Sequence, residues 1–407
     1  MSLQAPLDAA PPGPVVNPFA PTWIADPYPM YAQLRAQGPS FFAPAGFWIL
    51  ARYTDVDLLV RDPRFVKRNG VALQNAFGSG PLQASVSHWL LVLDPPDHTR
   101  LRSLVSQAFT PRAIERLRQQ IQDVVDGLLD SVAPTRRMDL IADFAYPLPV
   151  QVICSMLGVP AEDQRPFRHW SAAVAASFDA VVSRDPELIR TGNSGAARLT
   201  DYFRRLVAIR RSDPQEDLLS GLIAAEEHGD RLSEDELLAT SVMLFLAGHE
   251  TTVNLIGNGM LALLQHPDQL ERLRQDPSLT RGAVEELLRY DSPVQRTGIR
   301  FAAEDVEVEG GVIRRGDMVA GFIGAANRDP DQFANPDDLD LARLNTRHLS
   351  FAAGSHYCLG AALARLEAQV AFATLLQRFP DLHLLVDEPA WRQTAQLRGL
   401  QSLHVGF

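Results

Sequence analysis

Cysteine is scarce in this chain: its 407 residues include two, Cys154 and Cys358, far apart and in unlike surroundings. That spacing argues against a disulfide framework and fits a reducing compartment. The opening residues lack a basic segment followed by an apolar stretch and carry Asp8 instead, so neither a signal peptide nor a membrane anchor is expected. Long uninterrupted apolar runs are missing too. The nearest, Leu238 to Gln265, has His249 and Glu250 at its middle, where charge is costly in lipid, so it reads as a long buried helix. Positive charge is in deficit: 38 Lys and Arg face 49 Asp and Glu, a net charge of -11, which argues against nucleic acid and for a cytoplasmic protein. No repeat with a period of about 20–50 residues is evident, and no low-complexity linker divides the chain. Only the Pro-rich opening, Ala5 to Pro21, looks poorly ordered.

What is present is mostly helical periodicity. Apolar residues recur at three- and four-residue spacings over Tyr28 to Gln37, Arg100 to Phe109, Ala113 to Val132, Pro186 to Arg211, Glu234 to Gln265, Pro267 to Arg274, Arg281 to Tyr290 and Leu359 to Arg378. Strands are fewer. Trp48 to Ala51 reads as one, Val306 to Ile313 as a hairpin turning at Gly310-Gly311, and Met318 to Ile323 as an extension of a small sheet. Cys154 lies in the apolar run Val150 to Leu157, where core packing is its expected role.

Cys358 needs a different account. It sits in Phe351-Ala352-Ala353-Gly354-Ser355-His356-Tyr357-Cys358-Leu359-Gly360, with two glycines that permit tight turns or close approach to a flat ligand. A helix reads from just after it, and a helix N-terminus favours the thiolate that a metal requires. Alone, Cys358 reads as a small buried hydrophobe. The whole pattern Phe-x-x-Gly-x-His-x-Cys-x-Gly resembles the haem-binding loop of the cytochrome P450 family. The resemblance implies that Cys358 is the axial thiolate of haem iron, that Phe351 packs on its proximal side, and that Gly360 borders the cofactor. Ala352 stands where many bacterial members carry Gly.

Four further segments resemble the family in order. Ala247-Gly248-His249-Glu250-Thr251-Thr252 lies within the long helix; on their own the threonines read as residues that bond back to carbonyls. The resemblance makes it the oxygen-activation motif, with Ala247 and Gly248 beside the cofactor and Glu250 and Thr251 relaying protons for O–O cleavage. Glu286 and Arg289 share a helical face, an arrangement worth only ~0.2–0.5 kcal/mol on a surface. The resemblance implies a buried structural set completed by Arg343, with Leu339 in place of a frequent Phe. In Asp94 to Arg102, Asp94 reads as a helix N-cap and His98 and Arg102 fall at i,i+4. The resemblance implies that this pair grips a haem propionate, for which a guanidinium is suited, and that Arg300 and His348 hold the other propionate contacts. Ala325 to Pro330, with Phe333 and Pro336, matches the meander before the cysteine loop and carries no chemical role.

The fold class so implied is mainly α with a minor β component, the P450 fold. Its expected organisation is a flexible segment over residues 1–21 and one haem-thiolate monooxygenase domain over 22–407. The implied activity is insertion of one atom of dioxygen into a lipophilic small molecule, by C–H hydroxylation or epoxidation, with haem b as cofactor. Electrons would come from a small iron-sulfur ferredoxin and its NAD(P)H-dependent reductase, docking on the Cys358 side near Arg102, and the protein would act as a monomer without a membrane. Two alternatives are a peroxide-driven peroxygenase, whose members usually lack the acid-alcohol pair, and a non-catalytic haem-binding protein. By resemblance the substrate meets Asn69 to Leu91, the region Ala172 to Val182 with Phe178, then Leu244, Ala247, Val294 to Thr297, Leu400 and Gln401. Arg296 either anchors a carboxylate or faces solvent.

Overall fold

Proline sets several helix starts, because its missing N–H is no loss in a first turn and its φ already suits a helix. In the computed structural model, helices α5 (Pro147–Met156), α7 (Pro186–Ser212) and α9 (Pro267–Gln275) all begin this way, α7 with the Asp185 carboxylate accepting from the Glu187 N–H. The structure describes residues 17–407 except 43–45, 68–69, 184, 228–231 and 310, so the Pro-rich opening through residue 16 lies outside the described residues.

The described residues gather into two compact units, each drawn from three stretches of sequence. The first takes residues up to 68, Asn258–Cys358 and Pro389–Gln401. It contains α1 (Tyr28–Gln37), α2 (Tyr53–Arg61), α9 and α10 (Thr280–Tyr290). Its sheet runs β1 (Ser40–Phe42), β2 (Phe47–Leu50), β8 (Met318–Gly321), β5 (Arg300–Ala302), β3 (Phe65–Val66). Strands β2 and β8 pair in parallel, Phe47 opposite Met318 and Leu50 opposite Gly321, and the other pairs are antiparallel. Trp48, Leu50, Val56, Leu59, Phe65, Val319 and Ile323 form the core between this sheet and α2. The hairpin is β6 (Val306–Val308) with β7 (Gly311–Ile313), and β10 (Ala390–Trp391) pairs with β11 (Leu400–Ser402).

The second unit takes the described residues of Asn69–Gly257, Leu359–Glu388 and Ser402–Phe407. Here α4 (Arg118–Val132) packs against α5 and against α11 (Ala361–Arg378), while α6 (Phe167–Ser177) packs along α7. Phe167 is the hub of α6: its ring lies edge-on to Tyr202 and to Phe245, 4.8 Å from each. Phe245 belongs to α8 (Glu234–Gln265), whose 32 residues span roughly 48 Å. A three-stranded sheet, β4 (Arg137–Asp139), β12 (His404–Gly406), β9 (His383–Leu384), closes the unit with β12 in the middle. Among the described residues, no helix is long and apolar enough to cross a membrane.

Several sequence expectations need correction. Asp94 is not an N-cap: α3 runs Asp97–Ser106 from Pro96, and Asp94 instead offers its backbone carbonyl to the His98 N–H at 3.0 Å. The helix expected over Ala113 to Val132 is two, Pro111–Glu115 and α4, the first capped by the Thr110 hydroxyl. The strand beginning at Met318 ends at Gly321, since Ile323 already opens a short helix. Helices α2, α5 and α6 had no counterpart in the sequence reading.

Candidate functional site

The cysteine loop is held by backbone geometry that few residues tolerate. Gly354 has φ +68°, and a Cβ there would lie 2.8 Å from the Val60 carbonyl oxygen. Ala352 also takes a positive φ, 54°, without a glycine's freedom. The Cys358 N–H donates to the Phe351 carbonyl at 2.9 Å, closing the loop, and Phe351 is buried with its ring 5.8 Å from His348. Cys358 itself is half-buried, two residues before Gly360, the N-cap of α11. A Cβ on Gly360 would meet no heavy atom within 4 Å, so this glycine is not required by protein packing. Cys154 differs on each point: it is fully buried in α5, and burial pushes its thiol up to about 12. Only Cys358 combines access with a helix N-terminus.

Helix α8 is buried along most of its middle, but Ala247, Gly248 and Thr251 break the pattern: Ala247 is exposed and the other two are half-buried. Their i, i+1, i+4 spacing makes one open stripe of small side chains. The Thr251 hydroxyl donates to the Ala247 carbonyl at 3.2 Å. Of the two threonines expected to bond back to carbonyls, Thr251 makes that bond. Gly248 has a packing reason as well, because a Cβ there would lie 2.8 Å from Ile153 of α5. Glu250 is buried, with the His249 ring at 3.6 Å from its Oε1.

The cations expected at propionates have varied settings. His98 is buried and Arg102 half-buried, one turn apart on α3. Arg300, on β5 and buried, donates to the Phe65 carbonyl at 3.2 Å and reaches that of Val60 at 3.5 Å. His348 is occupied otherwise than expected. Its Nε2 lies 3.2 Å from the Glu285 carboxylate of α10, and its Nδ1 accepts from the Ser350 N–H two residues on, so one nitrogen ties the segment to α10 and the other closes a local turn. The imidazole inside the cysteine loop is His356, half-buried two residues from Cys358.

Glu286 accepts from two arginines. Arg289 donates through Nε and Nη2 at 2.7 and 2.8 Å, and Arg343 reaches both oxygens through Nε at 3.1 and 3.0 Å. Remaining guanidinium N–H groups go to the carbonyls of Asn327, Pro336 and Asp338 from Arg289, and of Ala334, Asn335 and Asp338 from Arg343. Two cations thus turn one buried carboxylate into the knot of the segment 327–343. Asn327 extends it, donating to Ser292 and Ser350 and accepting from the Leu349 N–H at 2.7 Å.

Residues 58–388 match the family model described as cytochrome P450. The chain is 43% identical to cytochrome P450 monooxygenase PikC of Streptomyces venezuelae, covering 98% of this chain and 95% of that protein. It is also 43% identical to the vitamin D(3) 25-hydroxylase of Pseudonocardia autotrophica over 95% of each chain. Among solved structures, P450BioI in complex with hexadec-9Z-enoic acid ligated acyl carrier protein matches with a TM-score of 0.90 and 40% identity, over 95% of this chain and 100% of that one. This chain belongs to the cytochrome P450 family. It has the P450 fold, and like its relatives it is a P450 monooxygenase.

A P450 requires a haem-thiolate cofactor, and the cysteine loop fits one: an accessible thiol held by a backbone bond and followed by a glycine whose side-chain direction is open. Of the expected substrate residues, Leu244 and Leu400 are buried, Val294 half-buried and Gln401 exposed, while Asn69 lies outside the described residues. Phe178 is half-buried with its ring edge-on to Phe77 and Trp89 at 6.2 and 5.8 Å. Arg296 does not face solvent: it is 3% exposed, with Nη1 at 3.5 Å from the Thr297 carbonyl. One residue the sequence reading passed over is Glu367, fully buried in α11, where burial holds its carboxyl well above the usual range and Thr252 lies beside it. A glutamate at helical spacing from Leu363, Val370 and Ala371, on the apolar face, was the available signal.

Proposed function

We propose that this P450 binds haem b through Cys358 and inserts one atom of dioxygen into a mid-sized lipophilic molecule, drawing two electrons from an external ferredoxin and its NAD(P)H-dependent reductase. Bound haem supplies the redox-active iron, and a thiolate ligand favours O–O cleavage. The observation that carries the reading is the cysteine loop, which holds one accessible thiol by backbone bonds and strained turns while the other cysteine is sealed in α5. In this reading His98, Arg102 and Arg300 hold propionates, with His356 in place of His348, and Gly360, Ala247 and Gly248 border the ring.

Glu250 and Thr251 are the proton donors. The carboxyl is buried and so costly to leave ionised, and the Thr251 hydroxyl, lying on the open stripe, can accept a proton as it gives one inward. The substrate side chains are Leu244, Ala247, Val294, Phe178, Leu400 and Gln401. A polyketide, terpenoid, aromatic or fatty acid suits that apolar set, in keeping with the fatty acyl group of the P450BioI complex and the vitamin D(3) of the Pseudonocardia enzyme. A buried Arg296 supports the carboxylate anchor over a solvent-facing role.

The test is the carbon-monoxide difference spectrum of the dithionite-reduced protein. A strongly red-shifted Soret band, lost in Cys358→Ser, is the expected result. A band at the histidine-ligated position in wild type, or a wild-type spectrum in the variant, would remove Cys358 as the ligand.

A further inference from the structure

The short helix Pro81–Val86 begins without a cap of its own, since Gly80 stands at its N-cap and has no side chain to offer. A first turn leaves backbone N–H groups that the helix itself cannot satisfy. Here the Leu82 N–H donates to Oδ1 of Asn193, 111 residues later on α7, at 3.0 Å. Asn193 is held in that aim by its other end, Nδ2 donating to the Ile189 carbonyl at 2.9 Å, one turn back along α7. The amide is thus an N-cap supplied from across the fold, its acceptor on the short helix and its donor on α7.

Gly80 and Asn193 fit as a pair. The Gly80 backbone is extended, φ 177°, which any residue adopts, so conformation does not call for glycine. Space does: a Cβ there would lie 2.4 Å from Oδ1 of Asn193. The same stretch of α7 is packed closely on α6. A Cβ on Gly192 would lie 2.6 Å from that of Ser177 and 3.1 Å from Cδ2 of Leu82, and one on Gly195 would lie 2.5 Å from the Trp170 carbonyl oxygen. Leu82 is fully buried. Phe178, at the C-cap of α6, stands edge-on to Phe77 before the short helix and to Trp89 after it. The segment from Phe77 to Trp89 is therefore fastened to α6 by rings at its two ends and to α7 by one hydrogen bond near its middle.

We propose that Asn193 is a positioning residue for substrate: by capping Pro81–Val86 it holds the segment Phe77 to Trp89 in the arrangement that meets a bulky ligand. The inference rests on the proposed function, in which this segment and Phe178 face the substrate. A ligand that needs the segment in place binds in proportion to the fraction of molecules that have it there. Loss of one N-cap changes a local equilibrium by about fivefold. A ligand too small to reach the segment gains nothing from the cap.

Two measurements on the haem-loaded protein test this. Asn193→Ala removes the acceptor, and Gly80→Ala pushes it away from the other side, so the double variant has nothing further to lose. Hydrogen exchange over residues 80–90 is expected to quicken about fivefold in each single variant and no further in the double. The second measurement is titration of the Soret band with imidazole and with clotrimazole, which ligate haem through the same kind of ring nitrogen and differ in the bulk beyond it. The clotrimazole Kd is expected to rise about fivefold in both single variants while the imidazole Kd holds, and Asn193→Asp, which keeps an acceptor oxygen, should stay within about twofold of wild type. Unchanged exchange in both single variants would overturn the cap. Faster exchange with an unchanged clotrimazole Kd, or with an equal rise for imidazole, would overturn the positioning role. A Soret band that imidazole fails to move in wild type would bring down the haem site itself, and this inference with it.

Discussion

Arg289 grips Glu286 with two parallel hydrogen bonds, 2.7 and 2.8 Å, in a place where neither side chain has any exposure. A buried ion pair gains little over a hydrophobic replacement, but removing one partner strands the other. Glu286→Ala is expected to cost about 3–5 kcal/mol, since it would leave the charges of Arg289 and Arg343 in the interior. Arg289→Lys should be nearly as damaging, because a lysine cannot fork onto the carboxylate and also reach three carbonyls. Urea unfolding with haem retention as a second reading would check both; near-wild-type midpoints would show that the knot is dispensable.

What could be read from the sequence was what is contiguous or locally capped. The ten residues around Cys358 and the helices Tyr28–Gln37 and Glu234–Gln265 were legible because each is set by neighbours in the chain. The pairing of His249 with Ser171, 78 residues away, carries no local signal. The contact of His348 with Glu285, 63 residues away, is hidden for the same reason: only folding brings the two together. Strands of two or three residues, such as Phe65–Val66, are too short to show alternation, so most of the sheet order was beyond reach.

Thr251→Ala removes one hydroxyl whose bond to the Ala247 carbonyl is long at 3.2 Å, so stability should change little. Substrate-induced spectral changes should persist while product per NADH falls by roughly tenfold or more, with peroxide making up the difference. Tight coupling in this variant would sink the relay assignment.

Asp55, in the first turn of α2, is buried with Oδ2 lacking a hydrogen-bond partner among the described residues, and burial lifts its carboxyl from 3.8 to about 6, with Arg52 opposing and Glu309 and Asp329 adding. The folded state then holds the proton more tightly than the unfolded chain, so stability from this group falls as pH rises from about 4 to 6 and stays low above. Asp55→Asn should raise the melting temperature at pH 7.5 and have little effect at pH 4. Equal shifts at both pH values would show that ionisation of Asp55 is not the cause.

Two glycines of the cysteine loop should respond oppositely to alanine. Gly354→Ala forces a side chain into the left-handed region and against the Val60 carbonyl, costing at least ~1–2 kcal/mol with or without haem. Gly360→Ala meets no protein atom within 4 Å at ordinary φ, so apoprotein stability should hold while haem affinity drops. Comparing melting curves of apo and loaded protein for both variants checks this, and unchanged haem affinity in Gly360→Ala would remove that residue from the cofactor's border.

Strand β12 lies between β4 and β9, and Phe407 returns its N–H to the Arg136 carbonyl. During synthesis β4 emerges some 265 residues before its one neighbour in that sheet, a delay of roughly 10–50 s at bacterial elongation rates. Residues 137–139 must spend that interval unpaired, so the ribosome-bound chain carries an open strand edge that chaperones have time to meet. Deleting residues 404–406 should then arrest the protein as a long-lived, aggregation-prone species, because β4 and β9 would both lose the strand that joins them.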